Sequence, residues 1–223
     1  MLITAPNISK SYQRKGSRRT CDALLPTDIN IESGKLTIIT GRSGSGKTTL
    51  LNILSGLLKP TKGNVLYDKT DIYSLSDKEL SELRSKHTGF IPQGQSILSS
   101  LTVLENILLP AALAGNGEKN RAYADTLLSK LGLDELRHAY PNELSGGELR
   151  RAAIARALIN SPKIIFADEP TNDLDDENTS LVFGVLKGEA EKGAAVVAVT
   201  HEPSARAYAD TILKMNGGRL EAL

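Results

Sequence analysis

Residues 41 to 48 read Gly41-Arg42-Ser43-Gly44-Ser45-Gly46-Lys47-Thr48. The stretch fits G-x-x-x-x-G-K-[ST], the P-loop pattern. Its three glycines let the backbone curl tightly, which brings successive N–H groups close to an anion. Lys47 can then reach the β- and γ-phosphates of a nucleoside triphosphate, and the Thr48 hydroxyl can ligate Mg²⁺. The flanks suit that reading better than a chance glycine turn. Leu36 to Thr40 is a short apolar and β-branched run, readable as a buried strand. Thr48 to Leu54 has helical character, so the loop opens a helix whose N-terminus faces the phosphates.

Composition narrows the class of protein. A chain of 223 residues suits one large domain, or one domain with a subdomain. Hydrophobic residues make up 40% and charged ones 24%, the balance of an ordinary globular chain. The net charge of +1 leaves no electrostatic footprint for nucleic acid. The one cysteine, Cys21, cannot pair within the chain, which fits a reducing cytosol. No apolar run is long enough to cross a bilayer, and Met1 to Lys10 has no signal-peptide pattern. A membrane role must therefore run through a partner chain.

Outward from the loop, residues 1 to 34 read as β-rich, with a strand beginning at Leu2 and a half-buried one at Asp28 to Glu32. Arg14 to Arg19 reads as a basic hairpin tip. Tyr12, just before it, suits an edge strand as well as a platform for a base. Asn64 to Tyr67 reads as a strand. Ser76-Asp77-Lys78-Glu79 is a capping box, so a helix is expected from Asp77 to Lys86, and Thr102 to Glu105 is a second box. Gly89 to Pro92 reads as a strand at an edge or an end, closing at Gln93. Residues 94 to 160 read as helical, with Pro110 kinking or ending one helix. Another helix starts at Leu144-Ser145-Gly146-Gly147-Glu148. Alternation then resumes: a strand at Lys163 to Ala167, a helix capped by Asp175 or Asp176, a strand at Ala194 to Val199, a short helix at Ser204 to Ala209 and a hairpin at Gly217-Gly218. The near-continuous apolar strands suit a parallel sheet covered on both faces.

Three further groups can carry chemistry. Asp168 and Glu169 stand at the C-terminal end of an apolar strand, where parallel α/β sheets bind ligands. Asp168 suits a magnesium site and Glu169 a general base for an attacking water, unless both are merely solvated carboxylates. His201 ends a neighbouring strand and is either structural or a γ-phosphate partner. Ser145-Gly146-Gly147 is either a plain glycine N-cap or a second anion site. One triphosphate already has its P-loop, so a second phosphate-binding helix start suggests a site shared between two subunits.

Taken in order, GRSGSGKT, Gln93, LSGGE, IIFADEP, Asn172-Asp173-Leu174-Asp175 and His201 resemble the ATPase domain of ABC transporters over essentially the whole chain. That resemblance implies an α/β fold: a P-loop NTPase with a RecA-like core, an N-terminal antiparallel β subdomain and an inserted helical subdomain. Residues 1–93 and 161–223 would form the β subdomain and core, and about 94–160 the helical part. It also implies roles. Tyr12 stacks on adenine. Gly41, Ser43, Gly44, Ser45, Gly46, Lys47, Thr48 and Thr49 wrap the phosphates of ATP. Gln93 senses the γ-phosphate and Mg²⁺, which Thr48 and Asp168 also hold. Ser145, Gly146 and Gly147 contact ATP held by a second copy of the chain, and Asp175 communicates across that dimer. Glu169 is the catalytic glutamate, His201 the switch histidine, and Lys47 the phosphate-binding lysine.

The same resemblance implies a separate integral membrane permease docking near residues 94–105, and a place on the cytoplasmic face of the membrane. Two positions depart from the usual pattern. Glu148 stands where glutamine is common and should slightly weaken the anion-attracting potential of its helix end; Arg42 replaces proline. LNILSGLLKPTKG, SLSDKELSELRSKHTGFIPQ and LTVLENILLP are similar to the group serving macrolide and peptide exporters, lipoprotein release and the cell-division complex. A non-transport membrane complex is the alternative. A soluble relative acting on DNA or ribosomes fits less well, since about a hundred residues without a heptad run separate loop and signature, and only one ATPase domain is present. A kinase or GTPase would have no use for LSGGE.

Overall fold

A computed structural model describes residues 1–13, 20–94, 96–172 and 174–222. The basic stretch at 14–19 and Asp173 lie outside these. Strands β1 (Ile3–Gln13) and β2 (Thr20–Ile31) pair antiparallel, and β4 (Leu66–Tyr67) and β5 (Thr70–Asp71) extend them into a four-stranded sheet of order β2-β1-β4-β5. A second sheet contains β3 (Leu36–Thr40), β6 (Thr88–Ile91), β7 (Ile164–Asp168), β8 (Ala195–Thr200), β9 (Thr211–Asn216) and β10 (Arg219–Ala222), in the order β10-β9-β3-β8-β7-β6. Its strands run parallel except for the β9–β10 hairpin. The fold is the expected α/β P-loop architecture, with a β sheet set beside it.

Strands with no polar alternation still sort their side chains between two cores, because successive residues point to opposite faces. In β7, Ile164 and Phe166 join the core shared with α1 (Lys47–Leu54) and the antiparallel sheet. Ile165 and Ala167 join the core on the other face. That second core is continuous through α3 (Val103–Leu113), α4 (Arg121–Lys130), α5 (Gly146–Leu158) and α6 (Asp176–Glu191). A sheet buried on both faces is what such runs require.

Both capping boxes form. Ser76 Oγ accepts the Glu79 N–H at the start of α2 (Asp77–His87), and Thr102 Oγ1 accepts the Glu105 N–H at the start of α3. Strand β6, with Pro92 just beyond it, is an edge strand.

Three elements differ from expectation. The strand expected over Asn64 to Tyr67 is only Leu66–Tyr67, because residues 61 and 62 bond instead to Ser9 on β1 and Asn64 turns its side chain to Asp71. Helix α3 continues past Pro110 to Leu113, so of the two expected outcomes the proline does not end it. The missing N–H removes one rung, but Ile107 and Ala111 are buried on either side of it and Ala114 N–H bonds the Pro110 carbonyl. The short segment expected at Ser204 to Ala209 is a 3₁₀ helix, Pro203–Tyr208.

The described residues between Gln93 and α3 form no helix or strand, yet side chains hold the backbone at Ser96, Leu98, Leu101 and Thr102. Asn106 is fully buried on α3. Its Oδ1 accepts the Leu98 N–H at 2.8 Å, and its Nδ2 donates to the carbonyls of Leu98, Leu101 and Thr102 at 3.0 Å each. Arg156 on α5 donates to the Ser96 carbonyl and hydroxyl, each at 2.7 Å. Replacing Asn106 by alanine leaves several buried polar groups unmatched and should destabilise the protein by about 3 kcal/mol. Urea unfolding should show a lower midpoint with an unchanged m-value.

Candidate active site

Parallel register fixes where the chemistry gathers. β3 pairs with β8 from Leu36 opposite Val196 to Thr40 opposite Thr200, and β7 pairs with β8 up to Asp168 opposite Val199. The chain therefore leaves three neighbouring strands at one edge, at Gly41, at Glu169 and at His201. These exits surround a cleft of about 470 Å³, lined by Arg42 through Thr49 together with Ala23, Gln93, Glu169 and His201.

The glycine loop is shaped by close backbone approaches. Gly46 sits at φ 106°, in the left-handed region, as the N-cap of α1. A Cβ there would collide with the Ala23 carbonyl of β2. A Cβ on Gly41 would collide with the Met215 carbonyl of β9 and with Ser45 Oγ. Gly218 N–H donates to the Ser45 carbonyl at 2.9 Å, so the β9–β10 hairpin also braces the loop. The Ser45 hydroxyl is buried and has no hydrogen-bond partner among the described residues, which leaves it as a donor for an anion in the loop.

Lys47 is 7% exposed. Its ammonium donates to the carbonyls of Gly41 at 2.8 Å and Arg42 at 3.3 Å, and lies 3.5 Å from Glu169 Oε1. Glu169 Oε2 accepts the His201 backbone N–H at 3.3 Å and stands 2.9 Å from His201 Nδ1. Lys47, Glu169 and His201 thus form one connected polar group at the cleft wall. Glu169 has φ 47°, unusual for a residue other than glycine, and its N–H bonds the Val199 carbonyl at 2.9 Å. That conformation turns its side chain off the line of β7.

Beneath the cleft, Thr48 Oγ1 donates to Asp168 Oδ1 at 3.2 Å. Burial pushes the Asp168 carboxyl above the usual carboxylate range, a penalty that a cation beside it would relieve. Thr48, Asp168 and the amide of Gln93 are hard oxygen donors, few in number. That suits Mg²⁺, which keeps several waters and takes phosphate oxygens as ligands. Gln93 is exposed on the cleft.

Other expected site residues lie elsewhere. Tyr12, Asp175 and the Ser145-Gly146-Gly147 turn are not among the described residues lining the cleft. Tyr12 is exposed on β1 opposite Cys21, with the Lys10 ammonium 5.3 Å from its ring centre. Asp175 caps α6, its Oδ1 accepting the Asn178 N–H at 2.8 Å, and that bond holds its carboxyl below the usual range.

The Ser145 turn caps α5 through a third capping box, which the sequence reading overlooked although its S-x-x-E spacing matches the other two. Glu148 Oε2 accepts both the Ser145 N–H and its hydroxyl at 2.7 Å, and Ser145 Oγ accepts the Glu148 N–H at 3.3 Å. These bonds hold Glu148 below the usual carboxylate range, so it is ionised over the helix start.

Two more residues escaped the sequence reading. Ala23 closes one side of the loop, and only β-strand register places it there. Arg150 is nearly buried and donates to the carbonyls of Pro92 at 2.6 Å, Gly94 at 3.3 Å and Glu169 at 2.8 Å. A signal for it existed: Arg150, Ile154 and Leu158 share one helical stripe, and the other two are apolar.

Comparison with known proteins agrees with this geometry. Residues 24–172 match the family model described as ABC transporter. The bacitracin export ATP-binding protein BceA of Halalkalibacterium halodurans is 42% identical, covering 98% of this chain and 87% of that protein. The lipoprotein-releasing system ATP-binding protein LolD of Syntrophotalea carbinolica is 41% identical, covering 98% and 96%. Among solved structures, the dimeric structure of MJ0796, a bacterial ABC transporter cassette, superposes with a TM-score of 0.91 at 37% identity, covering 99% and 98%. A dimeric post-hydrolysis state of MJ0796 bound to ADP and Pi gives 0.89 at 35% identity, with the same coverage.

Gly46→Ala should test the cleft directly. The methyl group meets the Ala23 carbonyl in a backbone region hostile to alanine. Titration with a fluorescent nucleoside triphosphate should show affinity lowered by about tenfold or more, with the far-UV circular dichroism unchanged.

Proposed function

This chain belongs to the ABC transporter family of ATP-binding proteins and is an ATPase, and from that premise we propose that two copies close on ATP and drive a separate integral membrane permease. We infer an exporter or lipoprotein-releasing system, because BceA and LolD are named for those tasks. No helix among the described residues is long and apolar enough to cross a membrane, so the membrane-spanning part is assigned to a partner. Residues 94–105 are the proposed docking segment, on the cytoplasmic face. Leu98 is exposed there on a backbone pinned from beneath by Asn106 and Arg156.

The observation that carries the reading is the Lys47–Glu169–His201 group above the Thr48–Asp168 pair, at the open edge of a parallel sheet. In the proposed mechanism the phosphates of ATP lie along the N–H groups of Gly41 to Thr49 and against the N-terminus of α1. Lys47 exchanges its carbonyl contacts for phosphate oxygens, which releases Glu169 Oε1. Glu169 then orients the attacking water and accepts its proton as the water oxygen bonds to the γ-phosphorus and the bond to the ADP oxygen breaks. His201 steadies the same carboxylate through Oε2. Thr48, Asp168 and Gln93 would hold Mg²⁺, which neutralises charge on the β- and γ-phosphates when bound. Tyr12 would stack on the adenine.

The anion site at Ser145 to Gly147 lies off the cleft of its own chain, which favours its use on the ATP of a second copy. Asp175, exposed at the start of α6, is the proposed contact across that dimer. The dimeric MJ0796 cassettes support such an arrangement.

Glu169→Gln tests the catalytic assignment. Steady-state hydrolysis should fall by about 10²–10⁴-fold while equilibrium ATP binding persists. Undiminished hydrolysis would remove Glu169 from the role of base.

A further inference from the structure

We propose that Arg150 is a positioning residue for Glu169, holding its backbone in the left-handed conformation that aims the carboxylate into the cleft. The proposal rests on the reading of Glu169 as general base. It concerns a residue that neither lines the cleft nor belongs to the glycine loop.

A guanidinium cannot shed its charge, so burying one is unfavourable unless it is closely paired. Arg150 is 7% exposed, and its acceptors include three main-chain carbonyls from two separate parts of the chain. One end of its fork, Nη1, takes Pro92 and Gly94, the residues on either side of Gln93. The other end, Nη2, takes the carbonyl of Glu169 at 2.8 Å. A flat, rigid fork can serve two places at once, which a single ammonium cannot do as well.

The Glu169 carbonyl is the informative partner. A glutamate at φ 47° is strained and persists only where the surroundings over-determine it. Its peptide N–H is held by the Val199 carbonyl at 2.9 Å. Its carbonyl accepts from Arg150 Nη2 at 2.8 Å and, more weakly, from the Asn172 N–H at 3.2 Å. The main chain is therefore gripped at both ends of the strained residue, and the side chain then falls between Lys47 and His201. Without Arg150 the carbonyl keeps only the longer bond from Asn172 N–H. The residue can relax to negative φ and swing its carboxylate out of the cleft. Arg150 also lies five residues beyond Ser145, about one and a half turns into α5, so the first turns of α5, the residues flanking Gln93 and Glu169 are joined through one side chain.

The test uses the full chain, with Arg150→Met, Arg150→Lys and Arg150→Met combined with Glu169→Gln. Arg150→Met should lower kcat by about tenfold or more while changing the KM for ATP by less than about threefold. The lysine variant should recover part of kcat. In the Glu169→Gln background, Arg150→Met should cause no further loss of the residual rate. It should also leave ATP-dependent dimer formation, read by light scattering, equal to that of Glu169→Gln alone. A role confined to packing α5 would instead weaken that dimer, and this result would overturn the proposal. So would an Arg150→Met enzyme within about twofold of the wild-type kcat when Glu169→Gln is inactive. If Arg150→Met does not fold, the lysine variant is judged alone, and a KM effect larger than its kcat effect contradicts the proposal. If Glu169→Gln itself turns over normally, the base assignment fails and this proposal falls with it.

Discussion

Everything in this molecule depends on the in-register pairing of three parallel strands. β3, β8 and β7 are aligned so that Thr40 lies opposite Thr200 and Asp168 opposite Val199. A slip of one residue in β7 would exchange its two faces, sending Ile165 and Ala167 into the wrong core and turning Asp168 away from Thr48. The apolar packing that specifies register is thus the same packing that sets the catalytic geometry. Burial on both faces makes the register rigid, and the site inherits that rigidity.

The polar layer at the strand ends is built from unusual contacts. Lys47 satisfies its charge with backbone carbonyls and a carboxylate, so it is pre-placed without being locked. Glu169 is strained and clamped. Asp168 is buried beside a hydroxyl, where burial disfavours its charge. Of these, the buried charge of Asp168 is the one that a cation beside it would relieve. Strain and unmatched charge concentrated in a few residues are characteristic of sites shaped for a ligand.

Much of this was legible in the sequence because the signals were local. The glycine loop, the Ser76 and Thr102 boxes and the apolar runs of β7 and β8 each carry their information within a few residues. The misses were non-local. The short β4 follows from chain contact with Ser9, and the survival of α3 beyond Pro110 follows from Ile107 and Ala111 being buried around it. Ala23 reaches the loop only through strand pairing. Arg150 left a trace, a charge in an apolar helical stripe, but its partners are carbonyls that no motif records. Glu148 shows the reverse case: a local S-x-x-E pattern hidden inside a better-known motif. Its charge bears on the Ser145 hydroxyl directly, and not only on the potential of the helix end.

In the proposed mechanism one chain holds only part of the working site, the remainder being the Ser145 turn of a second copy. The most direct measurement is the mass of the Glu169→Gln protein by sedimentation equilibrium, with and without saturating ATP. A shared site should give a species of 23.9 kDa without nucleotide and of twice that mass with ATP, and no such doubling when Ser145→Arg is added. A protein that stays at the single-chain mass in saturating ATP, or doubles regardless of Ser145, would contradict it.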